Sequence, residues 1–552
     1  MDFRHDPLPE GQFIRLLHVD IEESTKDPTV TFHTVPLDAD IQKYTAISYA
    51  WEDTSPVQRV LCKDGRQIWL SKTLSDLFTS LAKRQAHFIL WIDALCINQD
   101  DIEERGHQVN LMAQVYSLAA QVVIWLGEGC EKTNEAFKLL GSGADYQAWP
   151  NHGTAMLMEV FKRSWFGRLW VVQEATVGKD VWMMCGDSRI RFDAFESVVW
   201  SLWNSTSAMR FLHARNASYL GLRCATRILA LRRTFWSEGS ITLEPLLEAV
   251  FPYSASDSRD FIFAIRGLVD RPSLLPTADY TTTTEEVFTK ATAGILSEVE
   301  SLDGLALCGI GPRTLGSQLL NLLGERTVVI PEQLPSWVLD PRLNCYDEPL
   351  SDCKLGNWNA GGPSTGVGKV KDHKELHVFG RVLDQVSLTG PTISTWSLPA
   401  MKLCLNRAVK MTDRETIWRA LIMDLDMDEG PASEELRSEF DELLTLLNHN
   451  ASLAEIEGNE YFRILRRRCC SWRIFTTSDG YFGTSWPTMK EGDVVCVLQG
   501  CKFPLIIRPT YPRPYGSSLP VRGTLIGWCY LHGMMYGEAL RKDLCEKTII
   551  LI

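Results

Sequence analysis

The chain has 552 residues, 45% of them hydrophobic and 23% charged, with a formal net charge of −13. A single core stops growing well below that length, so two or three globular domains are expected, and disorder is excluded as the main theme. The acidic balance argues against broad attraction to nucleic acid or anionic membranes, because polyanions need clustered Lys and Arg.

No run of about 18 apolar residues offers a membrane span, and MDFRHDPLPEGQFIRLL has no charged-then-apolar leader. The expectation is a soluble, cytoplasmic protein. Its 15 cysteines are an odd count without a CxxC pair, which points to reduced, mostly buried thiols with no metal site. Cys62, Cys185 and Cys496 sit in apolar runs, where a cysteine acts as a small hydrophobe. The basic run Arg466, Arg467 and Arg468 reads as a solvated face.

In chain order, YTAISYAW (44–51) has the β-branched and aromatic content of a buried strand. RVLCKDGRQIWLS reads as a hairpin turning at Asp64-Gly65. TLSDLFTSLAKR places Leu74, Leu77, Phe78 and Leu81 at helical spacing, with Ser71 or Thr73 as a cap. FILWID is again a strand. After the CINQDD loop, Ile102, Val109, Met112, Val115 and Tyr116 mark one face of a helix, and QVVIWLG closes the unit as a strand. Strand alternating with helix predicts a parallel sheet with right-handed crossovers.

MLMEVFKRSWFGRLWVVQEA is a well-packed aromatic segment, and KDVWMMCGDSRIRF resembles a hairpin at Gly186-Asp187. Helical periodicity dominates from about 195 to 299. Beyond Trp337, short strands with Gly and Pro turns suggest a β-rich domain, interrupted by the acidic helical stretch EGPASEELRSEFDELLTLL. The expected organisation is an α/β domain over 1–195 with its core at 44–175, a mainly helical region over 196–330, and a β-rich domain over 331–552.

Several motifs fail. GPSTGVGKV (362–370) imitates a P-loop, but Pro363 and Val370 stand where spacing and the hydroxyl after lysine would be needed. CGIGPRTLG lacks a third glycine at dinucleotide spacing. There is no HExxH, and no cofactor is expected. His107 and His532 are isolated along the sequence.

WIDALCINQDDIEER (91–105) is different, because Asp93 falls at the carboxyl end of a strand, where ligands bind in open α/β sheets. Asn98, Gln99 and Asp100 would line the same edge. A structural reading stands beside it: Asp101 followed three residues later by Glu104 resembles a capping box, and Asp93 could pair with Arg105.

YTAISYAW, LWIDALCINQDDIEERGHQVNLMAQVYSLAAQVVIWLG and RSWFGRLWVVQEA, in that order, resemble the HET domain, the heterokaryon incompatibility module of filamentous fungi. Weaker similarity extends to SRDFIFAIRGL, LPTADYT, LPSWVLD and GDVVCVLQGCKFPLIIRP. One departure is Glu52, where the family commonly has a glycine. The resemblance implies a protein of non-self recognition and programmed cell death, acting through a protein partner or self-association. It further implies a TIR-like, flavodoxin-like α/β unit and, by analogy of fold, NAD cleavage. In that reading Glu104 and Asp93 are the catalytic candidates. Tyr49, Trp51, Asn98, Gln99, Arg105 and Glu174 are the candidate binding residues, and no metal is involved. The alternative is an enzyme of secondary metabolism on the same scaffold, with Asp93, Glu104 or Glu174 as acid or base toward a small apolar metabolite.

Overall fold

The computed structural model describes residues 3–22, 27–52, 54–143, 149, 153–203, 217–250, 253–298, 301–314, 334–343, 358–363, 365–366, 368–372, 374–394, 397–469, 471–511 and 520–552. The chain divides into two compact units, Met1–Thr284 and Glu285–Ile552. The division falls inside the stretch of helical periodicity.

The first unit is built on β1 (Phe13–Ile21), β2 (Pro28–Pro36), β3 (Thr45–Tyr49), β4 (Pro56–Cys62), β5 (Gln67–Ser71), β6 (His87–Trp91), β7 (Gln121–Trp125), β8 (Val181–Cys185) and β9 (Ser188–Arg191). They form one sheet in the order β5-β4-β2-β1-β6-β3-β7-β8-β9. Its centre, β6-β3-β7-β8, is parallel throughout. Counted along the chain, those four strands stand in the order 2-1-3-4, so the direction of winding reverses between β3 and β7.

The expectation of a parallel sheet is therefore corrected at the flanks, where β1 pairs antiparallel with both β2 and β6 and β9 pairs antiparallel with β8. The β1–β2 pair was not anticipated. Its nine-residue register is long, but the intervening stretch has no short turn dipeptide to announce a hairpin.

The connections are α1 (Lys72–Ala82), the single-turn α2 (Asp93–Cys96), α3 (Ile102–Leu118), α4 (Glu131–Gly141), α5 (Gly153–Phe161) and α6 (Val171–Val177), with α7 (Phe192–Trp203) following β9. Helix α1 starts where predicted, with Ser71 Oγ accepting from the Leu74 amide at 3.4 Å, and it buries Leu74, Leu77, Phe78 and Leu81. The buried face of α3 is shifted from the expected one: Gly106, Gln108, Leu111, Met112, Val115 and Tyr116 face inward, while Ile102 is exposed. Tyr116 then donates to the Ile47 carbonyl at 2.9 Å, tying the helix to the centre of the sheet.

A further helix, α8 (Ala217–Glu238), crosses α5 at Gly221. A Cβ there would lie 1.9 Å from the Phe161 carbonyl oxygen, so only glycine permits that approach.

The second unit contains β10 (Lys369–Lys371), β11 (Glu375–Thr392), β12 (Arg473–Thr477), β13 (Phe482–Ser485), β14 (Val494–Leu498), β15 (Leu505–Pro509), β16 (Val521–Leu531) and β17 (Glu546–Leu551). Strand β11 pairs with β12 and also with β14, closing the ring β11-β12-β13-β16-β15-β14. The β-rich expectation thus takes the form of a six-stranded barrel, which leaves no free edge within the ring.

Trp358, Trp472, Trp486 and Trp528 cluster at its core, with Trp472 and Trp528 ring centres 4.7 Å apart. Helices fill the long connection from β11 to β12, including the acidic helix Glu434–Asn448. The basic run is not simply solvated, because Arg468 is buried and donates to the Asp426 carbonyl at 2.6 Å. The P-loop imitation runs into exposed β10 rather than a helix. Among the described residues, no helix is long and apolar enough to cross a membrane.

Candidate functional site

Strand β6 ends at Trp91, and Asp93 opens α2 directly beyond it. The Asp93 carboxylate is buried and accepts from the Ala94 amide at 2.8 Å, the Trp51 indole at 3.1 and 3.2 Å, and Arg168 Nη2 at 2.9 Å. Trp51 follows β3 and is 42% exposed, while the Arg168 guanidinium lies 5.9 Å from its ring centre. Arg168 also donates to the Tyr49 carbonyl at 2.5 Å. The carboxyl ends of β3 and β6 are therefore joined by one guanidinium.

Behind Arg168 stands Glu174, on α6 and 0% exposed. Its Oε2 accepts from Ser48 Oγ at 2.5 Å, and Ser48 in turn accepts from the Trp165 indole at 2.8 Å. Its Oε1 lies 3.3 Å from Arg168 Nη1, within ion-pair range, but no hydrogen bond is aligned there.

With both acids ionised, this buried group would carry two negative charges against one positive. Burial, reinforced by Asp93 and opposed by Arg168 and Ser48, pushes the Glu174 carboxyl up to about 7. For Arg168, burial works against the charge, but facing Glu174 and Asp93 outweigh it and hold its pKa above the ordinary value. Burial, with Asp93 nearby, keeps the Tyr49 phenol protonated far beyond its usual range. The arrangement is a proton-holding carboxyl backed by a hydroxyl, beneath a cation and an exposed aromatic face.

Glu104 does not join this group. Its carboxylate takes both Arg15 nitrogens, Nη1 at 2.6 Å and Nη2 at 2.8 Å, and the Asn98 amide at 2.7 Å. Arg15 comes from β1 and also holds the Cys96 carbonyl at 3.0 Å. Burial opposes the ionised form of Glu104, yet these hydrogen bonds outweigh it and lower its pKa.

The capping box is only half present: Asp101 accepts from the Glu103 and Glu104 amides at 3.0 Å, but the Glu104 side chain turns away to Arg15. Asp93 and Glu104 thus belong to separate networks at opposite ends of α2.

Asn98 enters through its backbone amide, and Gln99 Nε2 donates to the Asp93 carbonyl at 3.1 Å, so both brace the turn. Arg105 is not the partner of Asp93. Its guanidinium lies 4.1 Å from the Tyr280 ring centre, near Asp260. Asp260 accepts from Tyr280 at 2.7 Å and the Trp170 indole at 3.0 Å, and burial pushes its carboxyl up to about 6. Glu52 receives a hydrogen bond from Ser164 Oγ, and its φ is not positive, so the turn does not demand the family's glycine.

Arg168, Ser48 and Arg15 were absent from the sequence-based candidates. Arg168 did leave a signal, since a lone cation inside the apolar run SWFGRLWVV needs a buried partner.

Residues 44–174 match the family model described as Heterokaryon incompatibility protein (HET), and residues 418–548 match the Het-6 beta-barrel domain. The chain is 26% identical over 386 residues to Heterokaryon incompatibility protein 6, OR allele, from Neurospora crassa. That similarity covers 57% of this chain and 55% of the relative, so the chain spans about half the relative's length. No solved structure matches.

Proposed function

Because the chain is a HET domain protein, we propose that it is a cytoplasmic incompatibility effector of a filamentous fungus. In this reading it commits the cell to death when a non-self protein partner, or its own assembly, engages the HET domain. The active centre is assigned to Asp93, Arg168 and Glu174 beneath Trp51 and Tyr49, and the ligand to NAD.

The observation that carries the reading is the position of this charged group. It lies at the carboxyl ends of β3 and β6, beside the point where the winding reverses, which is where doubly wound sheets take their ligands. Four parallel strands in the order 2-1-3-4 support the TIR-like comparison as an analogy of fold. Trp51 offers a stacking face for a planar ring, Arg168 an anionic contact, and Glu174 a carboxyl able to hold or release a proton near neutrality. Glu104 serves instead as an anchor for Arg15.

The test incubates concentrated full-length protein with NAD and follows nicotinamide by chromatography. Release that is abolished in Glu174→Gln and retained in a folded Arg105→Ala variant supports the assignment. No release from the concentrated wild type removes the NAD reading.

A further inference from the structure

The loop leaving β7 and the turn between β8 and β9 bring two cysteines onto neighbouring segments. Cys130 is exposed at the N-cap of α4, and Cys185 is the buried last residue of β8. The two segments are joined where the Gly186 amide donates to the Gly127 carbonyl at 2.9 Å. They are so close that a Cβ on Gly129 would lie 3.2 Å from the Cys185 carbonyl.

Thr133 Oγ1 accepts from the Cys130 amide at 2.8 Å, donates to the Cys130 carbonyl at 3.0 Å, and lies 3.6 Å from Cys130 Sγ. The Cys185 thiol donates to the Glu128 carbonyl, two residues before Cys130, at 3.7 Å. One sulfur faces solvent and the other is buried on a segment hydrogen-bonded to the Cys130 loop.

We propose that Cys130 and Cys185 form a peroxide-sensitive thiol pair, Cys130 being the attacking sulfur and Cys185 the resolving one. The Cys130 thiolate attacks the distal oxygen of a hydroperoxide and the O–O bond breaks. The departing alkoxide, or hydroxide from hydrogen peroxide, takes up a proton, and Cys130 is left as a sulfenic acid. The Cys185 sulfur then attacks the Cys130 sulfur, hydroxide leaves as water with the Cys185 proton, and a disulfide results. Two thiols lose two electrons in all, and a dithiol reductant reverses the step.

The surroundings favour this division of labour. Hydrogen bonds donated by the Thr133 amide and hydroxyl lower the Cys130 pKa, with Arg163 adding a smaller effect in the same direction. Burial raises that of Cys185, so its attack depends on being held beside its target. The link would staple the β7–α4 loop to the β8–β9 turn, and it does not depend on the NAD reading.

The test treats full-length protein with a few equivalents of hydrogen peroxide, then alkylates and maps peptides before and after reduction. Exposed Cys545 provides an internal control. The expected result is a reducible Cys130–Cys185 peptide within one chain, with Cys130 of the untreated protein alkylated several-fold faster than Cys545. In Cys130→Ser, Cys185 should stay reduced. In Cys185→Ala, Cys130 should instead accumulate as a dimedone-trapped sulfenic acid. Should the buried substitution unfold the protein, the wild-type and Cys130→Ser arms still decide. Cys130 left reduced, oxidised without the link, or joined to another chain overturns the proposal.

Discussion

Replacing Glu174 with glutamine removes the group whose protonation compensates for its burial, and the consequence is a change in how stability depends on pH. The folded carboxyl holds its proton to about 7, against 4.5 for the free side chain. Between those values the native state binds a proton that the unfolded chain has released, so stability falls as pH rises and levels off above about 7. The difference corresponds to about 3 kcal/mol.

The substituted amide keeps the size of the side chain, can still accept from Ser48, and has no proton to lose. Hydrogen exchange of the β3 and α6 amides, corrected for intrinsic rates between pH 4.5 and 8.5, reads the local opening free energy. Asp260, pushed up to about 6, slopes in the same direction in both proteins and cancels in their difference. Wild type should lose about 3 kcal/mol more than Glu174→Gln across that window. Parallel curves for the two proteins would refute the argument that Glu174 is held protonated by its burial.

Three further outcomes follow from the contacts. Ser48→Ala leaves the Trp165 indole without its acceptor, costing about 1–2 kcal/mol by urea denaturation, and moves the Glu174 midpoint still higher because a bond to the ionised form is lost. Glu104→Ala strands Arg15, whose side chain is only 3% exposed, and should cost about 3 kcal/mol. The paired Arg15→Met, Glu104→Leu variant should recover part of that loss in the same assay. Gly527→Ala, at φ +143° and with a Cβ that would lie 2.4 Å from the Trp486 Nε1, should speed hydrogen exchange in β15 and β16 about 100-fold, or about 3 kcal/mol.

The sequence made the centre of the first sheet readable because YTAIS, FILW and QVVIW are compact β-rich runs separated by helical periodicity. It also placed Asp93 at the right strand end. It did not separate Asp93 from Glu104, because their partners are remote along the chain: Arg168 lies 75 residues from Asp93, and Arg15 lies 89 residues from Glu104. Local spacing cannot report a guanidinium arriving from a remote part of the chain. Glu104 had a local capping explanation, and the tertiary ion pair overrode it. Closure of the barrel was equally hidden, since it depends on one long strand, β11, pairing on both of its sides.

The central claim is that function resides in the charged group under Trp51. Inducible expression in a fungal host, scored as growth arrest at matched protein levels, tests it most directly through Trp51→Ala, a residue 42% exposed. The account predicts that wild type arrests growth and that Trp51→Ala, still folded and equally abundant, does not. Arrest by Trp51→Ala equal to that of wild type would contradict it.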